Sequence, residues 1–216
     1  MLAEKVIDLR PDPDRLIDDP TLMTRSLTPF YEACRRAIPS KISVLLDTGA
    51  NETEAVANFL RDVDLDEDLI AWKLPCVVLC PFYAEAECLR QSAYSVSRLA
   101  GAVPSARIVL VKNRFGGSVE RITPGSITHR AYRELLSVAT DADRIVMPAI
   151  AKEYWAPYEG AALRFIKAIA MDPETASRTL KKEVGEVKVM RAQVTKYFRA
   201  MHAQLSQIFS LPKGGQ

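Results

Sequence analysis

The first residue of chemical interest is Asp47, which follows the apolar run at residues 42–46. Such a run predicts a parallel strand buried on both faces. Because turn-forming residues come directly after it, Asp47 is expected at the carboxyl end of that strand, where open α/β sheets bind ligands. A carboxylate there can hold Mg²⁺ or orient an attacking water. The alternative is an aspartate that only ends the strand or caps the next helix.

Alternating strands and helices are expected to position this carboxylate. Further apolar runs predict strands at residues 75–81, 106–114 and 144–149, and a shorter run predicts one at 6–9. Helices are predicted at 28–37, 52–60, 85–99 and 131–139. This alternation predicts an α/β fold with a mostly parallel sheet flanked by helices.

From Pro173 onward the apolar residues recur every three or four positions, which predicts one long amphipathic C-terminal helix. The apolar stripe contains Leu180, Val184, Val187, Met190, Val194, Tyr197, Met201, Leu205 and Ile208. The opposite face is basic and contains Arg178, Lys181, Lys182, Lys188, Arg191, Lys196 and Arg199. The helix could pack on its own sheet, pair with a partner helix or contact DNA. The expected domains are residues 1–172 and 173–216.

The composition excludes several classes of protein. The chain has 216 residues, 48% of them apolar and 26% charged, as is typical of a globular protein of one domain with or without an appendage. A net charge of +2 indicates no global attraction to nucleic acid or membrane. Without a spanning run or a signal sequence, the expected location is cytoplasmic. The four cysteines and two histidines show no metal-binding spacing.

Several of these segments, in this order, resemble one ATPase family. Residues 44–50 (VLLDTGA) resemble the Walker B strand of the ParA/MinD-type P-loop ATPases of the SIMIBI class. Residues 77–81 (VVLCP) resemble the next strand of that family, and residues 109–114 (VLVKNR) resemble the strand that ends in Asn-Arg. Met147 and Pro148 resemble the final strand and its loop. The resemblance covers roughly residues 5–169.

The resemblance implies roles for particular residues. Asp47 would be the catalytic and Mg²⁺-binding carboxylate, and Asn113 would hydrogen-bond the adenine, since its amide has both a donor and an acceptor. Arg114 and Pro148 would complete the nucleotide site. The cofactors of the intact family are ATP and Mg²⁺. The alternative for Asn113 is a residue that tolerates a tight turn before Gly116.

The sequence departs from the family in lacking a P-loop. No GxxxxGKS or GxxxxGKT segment occurs, nor the family's lysine-rich variant. Bound phosphates would therefore lose their backbone N–H cradle and their lysine. The expected fold is P-loop NTPase-like with the first strand and P-loop absent, through amino-terminal truncation or natural loss. We expect no hydrolysis by this chain alone and weak or no binding of ATP and Mg²⁺.

Three hypotheses about function follow. The first is a ParA/MinD-like ATPase module of plasmid partition or conjugal transfer and mobilisation, catalytically incompetent in this form. The second is a non-catalytic interaction or scaffold protein, whose basic helix binds a partner or, through Lys181, Lys182, Lys188 and Arg191, DNA without sequence preference. The third is a small α/β enzyme with Asp47 in another role. A homodimer or a complex with a partner protein is expected, and no membrane partner.

Overall fold

The computed structural model describes residues 6–11, 14, 19, 21–40, 42–49 and 51–209. The chain divides into two compact units. Unit 1 comprises Met1–Cys80, Arg90–Val109 and Ala131–Asp143, and unit 2 comprises Pro81–Leu89, Leu110–Arg130 and Arg144–Gln216. The predicted division at residue 172 stays a prediction.

Three parallel strands form one sheet in the order β1-β2-β3, namely β1 (Val77–Phe82), β2 (Arg107–Asn113) and β3 (Asp143–Met147). Each connection passes through a helix, as parallel neighbours require. The central strand β2 buries Val109, Leu110 and Val111, which explains its continuous apolar run. The predicted strands at 75–81, 106–114 and 144–149 are confirmed. Each observed strand end lies within two residues of the predicted end.

The backbone pairing of β1 explains why this strand runs through Pro81 and does not stop there as predicted. The Cys76 carbonyl accepts a hydrogen bond of 3.0 Å from the Arg107 N–H. The backbone N–H and C=O groups of successive residues point to opposite sides of a strand. Since Cys76 points toward β2, residue 81, five positions later, points away from it. Proline lacks an N–H and is tolerated on the open side of an edge strand.

Residues 42–49 are irregular, so the predicted buried strand at 42–46 is wrong. Ile42 and Leu45 are 52% and 85% exposed, whereas Leu46 is half-buried against the core of unit 1. An apolar run becomes a strand only when a neighbouring strand completes its backbone hydrogen bonds. In the described part of the chain, the sheet ends at β1. Residues 6–9 are irregular as well.

The helices are α1 (Leu22–Ser26), α2 (Thr28–Ser40), α3 (Thr53–Asp62), α4 (Leu65–Trp72), α5 (Ala86–Ala102), α6 (Ile127–Val138), α7 (Lys152–Gly160), α8 (Phe165–Ala170), α9 (Pro173–Leu180) and α10 (Val184–Ile208). The four helices predicted before residue 140 are present as α2, α3, α5 and α6. Short 3₁₀ turns cover Arg114–Gly116 and Val119–Arg121.

The C-terminal segment forms two helices, so the prediction of one unbroken helix from Pro173 is wrong at residues 181–183. Helix α9 ends where Lys181 adopts a left-handed backbone with φ of 53°. The Lys182 N–H donates to the Ser177 carbonyl (3.2 Å), and the Ser177 hydroxyl donates to the Lys182 carbonyl (2.6 Å). These bonds satisfy backbone N–H and carbonyl groups at the carboxyl end of α9, where the helix ends. The predicted long helix is present as the 25-residue α10.

Helix α10 is held within unit 2 by its apolar side and by one amide. Val187, Met190 and Val194 are fully buried, and α10 contacts α7, α8 and α9. The side chain of Gln204 accepts from the Val146 N–H (2.6 Å) and donates to the Val146 carbonyl (2.6 Å). This amide therefore completes the hydrogen bonds of β3 at an edge position, as a neighbouring strand would.

Candidate functional site

Asp47 does not lie at the end of a strand. It is exposed in the irregular segment 42–49, which belongs to unit 1. Beside it, the Gly49 N–H donates to the Glu52 carboxylate at 2.7 Å, just before helix α3. The expected position of Asp47 at the carboxyl edge of the sheet is therefore wrong. Its catalytic and Mg²⁺-binding roles remain predictions.

The other predicted site residues follow neighbouring strands of the sheet. Asn113 ends β2 with Arg114 directly after it, and Pro148 follows β3. The Asn113 Oδ1 accepts a hydrogen bond of 2.9 Å from the Phe115 N–H, which caps the 3₁₀ turn at Arg114–Gly116. The backbone of Asn113 itself is extended (φ −82°), so the residue supports the following turn through its side chain. Arg114 is exposed and Pro148 is half-buried, and their roles at a nucleotide remain predictions.

The helix that follows β1 has a carboxylate at its amino end. The two Glu85 oxygens accept from the Glu87 N–H (3.0 Å) and the Cys88 N–H (2.7 Å). An anionic ligand at this helix terminus would use the same N–H groups. Since a side chain occupies these donors, this turn does not provide the phosphate cradle of a P-loop.

The described residues do not fit Mg·ATP. Within the described ranges, no group of three or more His, Cys, Asp or Glu side chains could hold a metal ion. The donors at the start of α5 are used by Glu85, and the acceptor of Asn113 is used by its own turn.

A shallow, open basic groove on α10 is a candidate site. The groove has a volume of about 420 Å³ and is lined by Lys188, Arg191, Ala192, Thr195, Lys196 and Arg199. Residues spaced by three and four positions lie on one face of a helix. This face is separate from the seam of Val187, Met190 and Val194, which packs into unit 2. Burial of that seam therefore turns the basic residues outward.

The positive charge of the groove is not neutralised locally. The sequence contains no Asp or Glu after Glu186. In the part of α10 and its surroundings that the structure describes, no carboxylate pairs with Lys188, Lys196 or Arg199. Uncompensated cations on one helix face attract anions, and they do so most strongly at low salt.

Arg191 lines the groove and also fixes the helix in unit 2. Its Nη1 donates to the Met171 carbonyl at 3.1 Å. The nearby Tyr158 side chain is fully buried, and its hydroxyl has no partner among the described residues. Burial raises the pKa of Tyr158, while the Arg191 guanidinium opposes this shift. Arg191 therefore has a structural role that the other cations of the groove lack.

The structure selects a different set of cations from the predicted one. Of the predicted DNA contacts, Lys188 and Arg191 line the groove. Lys182 instead pairs with Glu186 one turn along the chain, and Lys181 lies in the break between α9 and α10. Lys196 and Arg199 also line the groove and were not among the predicted DNA contacts. The signal was in the sequence, because Arg191, Lys196 and Arg199 follow Lys188 by three, eight and eleven positions, and these offsets keep the four cations on one face of a helix.

Comparison with known proteins gives no relative: no family model matches the sequence, and neither a curated protein nor a solved structure is significantly similar to it. Across the described ranges, none of the helices combines the length and the apolar character needed to cross a membrane.

Proposed function

We propose that this protein is a non-catalytic nucleic-acid-binding protein that contacts the DNA phosphate backbone through the basic groove of α10. The observation that supports this proposal is the set of four cations on one helix face, none of which has a carboxylate partner among the described residues. Binding through phosphates alone is independent of sequence. A cytoplasmic location is part of the proposal.

The groove sets an expected salt dependence. Lys188 and Arg199 are eleven residues apart, which is roughly 16 Å along a helix that rises 1.5 Å per residue. If all four cations contact phosphates, log K should fall with log salt with a slope of about −3.6, since each contact contributes about −0.9. Affinity should then fall about 150-fold when salt rises from about 50 to about 200 mM.

The test measures binding to a labelled duplex of random sequence by fluorescence anisotropy. We expect Lys188→Glu combined with Arg199→Glu to reduce affinity by at least about 60-fold near 0.1 M salt, because each lost phosphate contact is worth roughly 8-fold there. The slope should fall to about −1.8. The matched control combines Arg36→Glu with Arg133→Glu, two exposed arginines of unit 1.

This control changes the net charge by the same amount at residues that do not line the groove, so it should cost much less affinity. Arg191 is left unchanged because it also bonds to the Met171 carbonyl. Equal losses in the two double variants would show that only net charge matters and would refute the groove. An unchanged affinity in the groove variant would refute it as well.

A second candidate, the ParA/MinD-like module of plasmid partition or mobilisation, is favoured by one observation. Asn113, Arg114 and Pro148 follow strands that are neighbours in the sheet. We expect no ATP hydrolysis and no better than millimolar binding, because the chain lacks the glycine loop and its lysine. Micromolar ATP binding in calorimetry that disappears in Asn113→Ala would support this candidate and contradict our expectation.

A further inference from the structure

Phe115 is unusual among the aromatic side chains of the described residues. It is 80% exposed, whereas the next most exposed aromatic residues, Tyr94 and Tyr83, are 46% and 39% exposed. It lies in the connection that follows β2 and belongs to unit 2. Exposing a phenyl ring forfeits the burial of about 150–250 Å² of surface. The ring is therefore available to a ligand.

The backbone on both sides of Phe115 is fixed. Its N–H is held by the Asn113 side chain at 2.9 Å. The Gly117 N–H donates to the Arg114 carbonyl at 3.2 Å, and the φ of Gly117 is 98°, a value that favours glycine. A ring presented from a fixed turn loses less conformational entropy when it binds than one on a flexible loop would.

The residues after Phe115 are also anchored. Lys112 on β2 pairs with Glu120 at 2.5 Å, and Ser118 donates to the same carboxylate. Val119, between these residues, is buried. The connection from residue 113 to residue 121 is therefore tied to the sheet by an ion pair, and one of its apolar side chains is buried.

The unpaired charges close to Phe115 in the sequence are positive. Arg114 and Arg121 are exposed, and no carboxylate in the described ranges pairs with either of them. The one acid of this connection, Glu120, is already paired with Lys112. The ring thus has two uncompensated guanidinium groups close to it in the sequence.

We propose that Phe115 is a stacking platform for an unpaired nucleobase, with Arg114 and Arg121 contacting the phosphates beside it. The area of one ring matches one base, whereas a protein interface needs about 800 Å² per partner. Neighbouring Arg, Gly and Ser residues do not extend the apolar surface. An aromatic ring beside cations is the combination that binds single strands without sequence preference.

This inference rests on the proposed function in taking nucleic acid as the ligand, but it uses a different surface. The groove on α10 binds phosphates of either duplex or single strand. Phe115 needs an exposed base face, which a stacked duplex does not offer. Truncation of the ring should therefore weaken binding to a single strand and leave duplex binding unchanged.

The experiment compares a labelled single-stranded oligonucleotide, its duplex and free AMP as probes of the full chain. We expect Phe115→Ala to reduce single-strand affinity by about 5- to 150-fold and duplex affinity by less than about 2-fold. Phe115→Leu should resemble Phe115→Ala, because leucine keeps apolar bulk without a π face. Phe115→Trp should retain binding, with fluorescence quenching on stacking. The control is Ile70→Ala, at a site that is 60% exposed in unit 1.

An unchanged single-strand affinity in Phe115→Ala would overturn the proposal, and so would full binding by Phe115→Leu. AMP that binds as tightly as the strand, with the same dependence on Phe115, would support stacking and assign the base to a free nucleotide. The groove variant separates the two proposals. If it loses duplex binding while Phe115→Ala changes nothing, the proposed function stands and this inference fails. If the groove variant changes nothing while Phe115→Ala weakens single-strand binding, the Phe115 site stands and the groove proposal fails.

Discussion

Replacing Gln204 by alanine tests whether one amide holds α10 against the edge of β3. Gln204 makes two hydrogen bonds of 2.6 Å to the backbone of Val146, and both residues are half-buried. Each bond contributes about 0.5–1.5 kcal/mol net. Gln204→Ala should therefore lower the free energy of unfolding by about 2 kcal/mol, out of the roughly 5–15 kcal/mol typical of a domain.

The matched control is Gln207→Ala, which removes the same side chain from an exposed position of the same helix. Both variants gain helix propensity from alanine, so their difference reports the hydrogen bonds of Gln204, namely the two to Val146 and a longer one of 3.2 Å to the Ala200 carbonyl. In thermal denaturation, Gln204→Ala should melt about 4–8 °C lower than Gln207→Ala, at about 2–4 °C per kcal/mol for a chain of this size.

Hydrogen exchange reports on the bond itself. The Val146 N–H donates to Gln204, so its exchange should become up to about 30-fold faster in Gln204→Ala, which corresponds to 2 kcal/mol at about 1.4 kcal/mol per tenfold change. Gln204→Glu keeps the acceptor for the Val146 N–H but loses the donor to the Val146 carbonyl. It should therefore be destabilised near neutral pH and regain stability as acid protonates the new side chain.

The reasoning would be refuted if Gln204→Ala and Gln207→Ala unfolded within about 0.5 kcal/mol of each other, the range expected for surface substitutions. Unchanged exchange at Val146 would refute it independently, because that result would mean that the edge of β3 is protected in another way.

Two further predictions concern single residues. Lys112 and Ser118 lower the pKa of the Glu120 carboxyl to about 2; a lowered folded pKa stabilises the fold above the unfolded value of about 4.3. Glu120→Gln should therefore be less stable than the parent protein at pH 6, and urea titrations should show this difference vanishing as the pH falls to about 2. Lys181 has a left-handed backbone, which costs a side-chain-bearing residue about 1–2 kcal/mol. Lys181→Gly should raise the melting temperature and leave duplex affinity nearly unchanged, whereas a lower melting temperature would show that the lysine side chain itself supports the turn.

Local patterns in the sequence were enough to predict β1, β2, β3 and the helices between them. A central strand that is buried on both faces needs apolar residues at consecutive positions. Strand β2 has them at Val109, Leu110 and Val111, which are all buried. The long helix was equally predictable, because its buried residues at 187, 190 and 194 keep helical spacing.

The segment 42–46 shows where local patterns fail. Its residues have the composition of a strand, yet Leu45 is 85% exposed and the segment is irregular. Strand formation depends on a partner that is distant in sequence, and no local signal reports whether that partner is present. The position of Asp47 was wrong for the same reason.

The end of α9 shows a second limit. Glycine has the poorest helix propensity after proline, yet Gly185 lies inside α10 and the chain turns at Lys181 instead. Hydrogen bonds between Ser177 and Lys182 close that turn. They offset the free-energy cost of the left-handed backbone at Lys181.

For the candidate site, the sequence determined that α10 carries an acid-free face with cations at helical spacing. Tertiary structure decided which side of that helix is exposed, because burial of Val187, Met190 and Val194 fixes its rotation. Tertiary structure also decided that Arg191 donates a hydrogen bond to the Met171 carbonyl. Charge and spacing are properties of the chain alone, whereas exposure and hydrogen bonding depend on contacts between residues that are distant in sequence.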